Sequence, residues 1–334
     1  MFARVPDNPP RTTICLGRDA APAAGVAHLR FGDAEEQASA LQGWNQVYLQ
    51  LSAGAFRGEL HQVQGSGIRL FIEQVQRSVL QTGVLDKDVL AVGIPLHASG
   101  PGMFCGTPCA SDVLHVFSGS SGFEFRPSRQ HTMLGIELQL GCAALHGVGG
   151  DDARKQGLAL PPQPGALRLL PAALAALRTY LLDLLRSAQA RPELLVNPAV
   201  VATVADFLID HMAQRGPALE TRGSGVGPWR MVQQACALAQ ERLEYPPTVA
   251  QLCLDLGVSR RTLQNGFHRL LDVSPLAYLK AVRLHQARQA LKHAGSVTEA
   301  ATTCGFWHFG HFSQDYQTLF GERPSQTLRR YHGT

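Results

Sequence analysis

VAQLCLDLGVSRRTLQNGF, residues 249–267, and VTEAATTCGFWHFGHFSQDY, residues 297–316, decide how the last third of this chain folds. Val249, Gly257 and Val258 stand 48 positions before Val297, Gly305 and Phe306. Beyond the glycines, Leu263 and Phe267 stand 49 positions before Phe312 and Tyr316. Each copy reads as a helix, a glycine turn followed by an apolar residue, and a second helix with apolar residues four apart. Glycine has no Cβ and enters the left-handed turn conformation without steric penalty. The apolar residues on either side hold the two helices together, which is the pattern of a helix-turn-helix. In the first copy Ser259 stands where a serine caps the second helix.

Between the copies, SPLAYLKAVRLHQARQALKHAG, residues 274–295, reads as one long helix with Leu284, Ala287 and Leu291 at i, i+3 and i+7. A rigid spacer of this kind sets two recognition helices roughly one DNA turn, about 34 Å, apart. Charge points the same way. From Val226 onward there are 12 lysines and arginines against 7 acidic residues, which leaves 18 basic and 19 acidic residues upstream. The whole of the +4 net charge therefore sits in the C-terminal third, where a polyanion partner is favoured.

Working outward, QRGPALETRGSGVGP at 214–228 has glycine, proline and serine but no apolar period, and reads as a flexible linker over 214–227. Upstream of it lie two textures. Short apolar runs at 56–63, 68–73, 89–94, 113–117 and 132–140, separated by GSG, ASGPG and SGSSG, read as strands. The Ala/Leu/Arg-rich stretch 165–190 reads as one helix, and 197–212 as a second that begins at Asn197-Pro198. Residues 1–30 lack periodicity and read as a loose arm. The expected domains are thus 1–30, 31–213 (barrel to about 140, helices over 165–213) and 228–331, in a chain whose 334 residues suit two domains.

Residues 228–331 resemble the AraC/XylS family of transcription regulators. SRRTLQNGF, VSPLAYLKAVRL and CGFWHFGHFSQDYQTLFGERPSQTLR carry the resemblance. It implies a sequence-specific DNA-binding regulator, an activator responding to a small-molecule effector, with double-stranded promoter DNA and RNA polymerase as partners. The family's base-reading positions fall on Arg261, Gln264 and Asn265 in the first copy and on His308, Ser313 and Gln314 in the second. Arginine suits guanine, and glutamine and asparagine suit adenine. Ser259, Arg260 and Arg269 are placed for phosphate. Phe309 and Gly310 offer no hydrogen bond, so the first copy is expected to do most of the direct reading. WNQVYLQLSAGAFRGEL, residues 44–60, resembles the sensor half of the subgroup that includes the ethanolamine-operon activator.

The fold implied is α+β: an N-terminal cupin-like β-barrel with helices that serve a homodimer, and a C-terminal all-α domain of two helix-turn-helix units joined by a long helix. Trp44, Tyr48, Phe56 and Phe71 are candidates to line an effector pocket, or else form core.

Other classes find little support. His61, His97, His115 and His131 form no H-x-H pair, so neither a metal nor another cofactor is expected. Cys105 and Cys109 lack a second ligand pair and read as reduced thiols, while Gly305 and Phe306 form the turn between Cys304 and His308 and His311, so Cys304 reads as part of the inter-helix packing. GxGxxG, Walker and G-x-S-x-G motifs do not occur. An absent signal-peptide core, no run of eighteen apolar residues and seven scattered cysteines imply a cytoplasmic protein without a membrane segment. Two alternatives stay open: a barrel enzyme merely localised to DNA, and a repressor indifferent to small molecules.

Overall fold

The computed structural model describes residues 24–86, 88–118, 122–140, 142, 163–219, 226–242 and 246–332. The N-terminal part runs β1 (Gly25–Phe31), α1 (Ala34–Ala40), β2 (Gln46–Gln50), β3 (Gly58–Gln64), β4 (Ile68–Val75), β5 (Val79–Gly83) and β6 (Val89–Ala98). There follow β7 (Gly102–Phe104), β8 (Thr107–Cys109), β9 (Val113–Ser118), β10 (Phe123–Arg126), β11 (His131–Gln139) and β12 (Gly165–Arg168). Two helices close this half, α2 (Pro171–Ala190) and α3 (Pro198–Ala213).

The strands form two antiparallel sheets, in the orders β1-β3-β4-β11-β6-β9-β12 and β2-β5-β10-β7-β8. Trp44, Phe71, Phe104, Phe117, Phe123 and Met133 fill the space between them. No strand among the described residues pairs into both sheets, so the expected closed barrel is not formed. The second sheet is too small to wrap round: its strands have three to five residues, while β6 in the first has ten. The other face of the large sheet is covered by the helices, through Leu174, Leu177, Leu181 and Leu185 of α2 and Val204 and Leu208 of α3. Covered on both sides, β6 is a continuous buried run from Leu90 to Pro95 and not an alternation.

Two segments differ from the reading of the sequence. Residues 25–30, assigned to the loose arm, are strand and pair with β3. Residues 165–168 are strand, paired with β9, and the helix starts only at Pro171. Proline lacks an N–H and fits the first helical turn, so it marks the start better than the Ala/Leu composition did. The helix read over 197–212 starts at Pro198, with Asn197 accepting a hydrogen bond from the Ala199 N–H at 3.0 Å. No helix among the described residues is long and apolar enough to cross a membrane. Cys105, Cys109, Cys142, Cys236, Cys253 and Cys304 are free thiols, and Cys15 lies outside the described residues.

His115 and His131 sit inside the aromatic layer, their rings 4.9 and 5.4 Å from Phe125, and neither nitrogen of either ring has a hydrogen-bond partner among the described residues. Burial and the neighbouring His131 push His115 down to about 3, and burial and the neighbouring His97 push His131 down to about 4. Both are therefore neutral in the fold, whereas the unfolded chain takes up their protons below about pH 6.5. The unfolded state then binds more protons, so stability falls as pH drops from about 6.5 toward 4, by up to about 1.4 kcal/mol per pH unit for each group. Thermal melts at pH 7.5, 6.5 and 5.5 should show the midpoint falling, and less steeply in His115→Phe. Equal slopes in the two proteins would refute the assignment.

Candidate nucleic-acid interface

The C-terminal part is helical: α4 (Val226–Glu241), α5 (Val249–Leu256), α6 (Arg260–Leu271), α7 (Pro275–Leu291), α8 (Val297–Thr303), α9 (Phe309–Phe320) and α10 (Pro324–His332). Its helix starts are written in local chemistry. Thr248 and Gln251 form a reciprocal capping box before α5. Ser259, Ser274 and Ser296 each accept a hydrogen bond, at 3.1 Å, from the backbone N–H three residues on, opening α6, α7 and α8. Both turn glycines are left-handed, Gly257 at φ 63° and Gly305 at φ 71°.

In the first unit α6 buries Leu263, Phe267, Leu270 and Leu271 and exposes Arg260, Arg261, Gln264, Asn265 and Arg269. Arg261, Gln264, Asn265 and His268 fall at i, i+3, i+4 and i+7, so the three base-reading candidates share one face. Ser259 is exposed and engaged as the cap of α6. In the second unit α9 buries Phe312, Tyr316, Leu319 and Phe320. His308 is exposed just before its first turn, Gln314 is exposed and Ser313 is half-buried. Trp307, 72% exposed, and Phe309, 42% exposed, flank His308.

The spacer α7 carries contacts that the sequence reading missed. Arg283 donates to the Gly305 carbonyl at 2.6 Å and lies 4.3 Å over the Phe306 ring, fixing the turn of the second unit. Lys280 pairs with Asp315 of α9 at 3.0 Å. From its other side α7 meets the N-terminal domain. Arg288, 4% exposed, donates through Nε to Asp33 at 2.5 Å, stands 2.9 Å from Glu322 and lies 4.5 Å over the Phe320 ring. Burial by itself would raise the Asp33 pKa, but the Arg288 guanidinium reverses this and holds the carboxyl below its usual range. Lys292 pairs with Glu35 at 2.9 Å, Tyr331 donates to Glu36, and the Gln50 N–H donates to Nε2 of His285 at 2.8 Å.

The same interface reaches the ends of both recognition helices. The last carbonyls of a helix have no partner within it. Here Arg126 donates to the Leu270 carbonyl at the end of α6, at 2.8 Å. Gly54 N–H donates to Thr318 at 3.0 Å and Gln50 Nε2 to Leu319 at 2.7 Å, at the end of α9. The N-terminal domain thus grips both helices at the ends opposite their candidate reading residues.

The four effector candidates are not gathered into one cavity. Tyr48, Phe56 and Phe71 are buried core: Tyr48 donates to Glu73 at 2.7 Å, and Phe71 packs edge-on to Trp44. Trp44 alone of the four also borders a cleft of about 670 Å³, open mouth included, with Ile68, Arg69, Leu85, Glu137 and Gln139. At its base Arg69 and Glu137 pair at 3.1 Å, and Trp44 Nε1 donates to Glu137 at 2.7 Å. Nothing in the local sequence marks this cleft, because its walls come from segments far apart.

Residues 252–330 match the model of a helix-turn-helix domain family. The chain is 39% identical over 103 residues to a probable thc operon regulatory protein of Rhodococcus erythropolis, covering 30% of this chain and 31% of that one. It is 36% identical over 77 residues to a XylDLEGF operon transcriptional activator of Pseudomonas putida, covering 22% and 24%. The C-terminal domain is that of an AraC/XylS-type regulator. It spans about a third or less of the length of these curated relatives. Among solved structures, a probable AraC family transcriptional regulator from Rhodopseudomonas palustris is 37% identical over 30% of this chain and 97% of that one, with a TM-score of 0.29. The AraC-like activator CuxR is 17% identical over 79% of this chain and 95% of that one, with a TM-score of 0.40.

Proposed function

We propose that this AraC/XylS-family chain is a cytoplasmic, sequence-specific transcription regulator that reads promoter DNA with α6 and α9 and answers to a small effector. The observation that carries the reading is the pair of helix-turn-helix units fastened to one helix, each with polar side chains exposed at the start of its second helix. Seventeen residues of α7 span about 26 Å, which with the flanking helices matches the scale of one DNA turn. A single chain then reaches two successive major grooves. Arg261, Gln264 and Asn265 supply direct reading, Arg260, Arg269 and the region of Ser259 hold phosphate, and His308, Ser313 and Gln314 add weaker contacts.

The grip of the N-terminal domain on the ends of α6 and α9 supports effector control. A ligand that shifts the sheets moves Gln50, Gly54 and Arg126 and so the two helix ends they hold. The cleft beside Trp44, with Arg69 and Glu137 at its base, is the place to look for that ligand. Activation through RNA polymerase and homodimerisation through α2 and α3 complete the proposal.

Footprinting with the purified full-length chain tests it. Two adjacent major-groove segments on one face of a promoter should be protected. Arg261→Ala should weaken that site by about 1–3 kcal/mol, with little change on random DNA, while Arg269→Ala weakens both alike. Equal losses on specific and random DNA for Arg261→Ala would remove it from the base-reading set.

A further inference from the structure

We propose that His28, Glu59 and His61 form a binding site for a borderline divalent metal ion of the Zn²⁺ class. The register of the first two strands of the large sheet builds it: His28 of β1 lies directly opposite His61 of β3, and Arg30 lies opposite Glu59. Leu60 between them is 0% exposed and points into the space between the sheets, so Glu59 and His61 point out of the other face. That face is covered by α2 and α3 elsewhere, but here it is open. The side chains of His28, Glu59 and His61 are 44%, 34% and 31% exposed.

The distances fit an ion. One oxygen of Glu59, Oε2, is 3.7 Å from His28 Nε2 and 3.5 Å from His61 Nε2, and all three donor atoms lie within 4.8 Å of one another. Ligands held tetrahedrally at Zn²⁺ bond lengths sit roughly 3.3–3.6 Å apart. The two imidazoles stack with centroids 3.6 Å apart and planes 25° from parallel, which turns both Nε2 atoms toward the same carboxylate oxygen. Oε1, the other oxygen, is held by Arg30 Nε at 3.2 Å. Arg30 thus orients the carboxylate and leaves Oε2 free for the ion, as outer-shell partners of metal ligands do.

Two imidazoles and one carboxylate select zinc, cobalt or nickel over magnesium or calcium, and three protein ligands leave a position for water. The site has a mechanical consequence. Among the described residues β1 is an edge strand that pairs with β3 alone, and two residues past its end stands Asp33, which grips Arg288 of the DNA-binding domain. An ion bridging His28 to Glu59 and His61 fastens the strand that carries that grip. The proposal is independent of which effector the protein answers to.

Cobalt titration of the chelator-stripped full-length chain is the test. Wild type should bind one equivalent with the visible bands of a nitrogen/oxygen site and no near-ultraviolet thiolate band, and zinc should displace it. His28→Ala, His61→Ala and Glu59→Gln should each weaken binding by at least about tenfold, while Cys105→Ser/Cys109→Ser binds as wild type does. Because the three side chains are partly exposed, the metal-free variants should melt where wild type does, which separates lost ligands from a lost fold. Binding unchanged in His28→Ala/His61→Ala overturns the site. So does a thiolate band lost in the cysteine variant, or no cobalt binding by wild type.

Discussion

Arg288→Ala should destabilise the docking of the two domains by about 3–5 kcal/mol, the cost of removing one member of a buried ion pair. The replacement strands Asp33, 2% exposed, and leaves Glu322 with Arg330 as its ion-pair partner among the described residues. It also removes the guanidinium from over the Phe320 ring. An exposed pair such as Arg186–Asp183 would lose far less, because water and salt screen it. Urea unfolding followed by tryptophan fluorescence and limited proteolysis should show the two halves separating before either unfolds. Asp33→Asn should act in the same direction and more weakly, since Arg288 keeps Glu322. A wild-type unfolding curve for Arg288→Ala would mean that the other contacts, Lys292–Glu35, Tyr331–Glu36, Gln50–His285 and those at Leu270, Thr318 and Leu319, hold the domains without it.

Phe267→Ala should cost a similar amount, about 3–5 kcal/mol, at a different place. Phe267 is fully buried on α6 and packs edge-on to Tyr278 of α7, with centroids 5.4 Å apart. Truncation leaves a void where the first helix-turn-helix unit meets the spacer, and the surrounding helices cannot collapse to fill it. DNA binding and the thermal midpoint of the helical domain should fall together. The contrast with Arg261→Ala is the informative part. That side chain is on the same helix six positions earlier but on the opposite, exposed face, so its loss should reduce specific affinity and leave the midpoint where it was. If Arg261→Ala also lowered the midpoint, the division of α6 into a packing face and a reading face would be wrong.

What was legible from the residues was what is decided within a few positions of chain. Gly257 and Gly305 mark their turns because a left-handed backbone favours glycine wherever it occurs. Ser259 and Asn197 mark helix starts because a cap bonds an N–H two or three residues away. The exposed faces followed from the buried ones, since Leu263 and Phe267 fix which side of α6 faces inward. The errors came where composition stood in for pairing. Gly165–Arg168 looked helical beside the Ala/Leu run, and residues 25–30 looked unstructured, until each found a strand to pair with. The expected barrel failed for the same reason, because closure depends on whether the small sheet can reach the edges of the large one.

The sequence by itself determined the two helix-turn-helix units, the spacer between them and the face each recognition helix turns outward, because helices and their caps are local. Tertiary structure alone decided which distant groups meet. It set Arg288 on Asp33 across 255 positions, brought Gln50 and Arg126 to the ends of the recognition helices, and placed His28 over Glu59 and His61. Strand register and domain docking are fixed by packing between segments far apart in the chain, and no pattern within either segment records its partner.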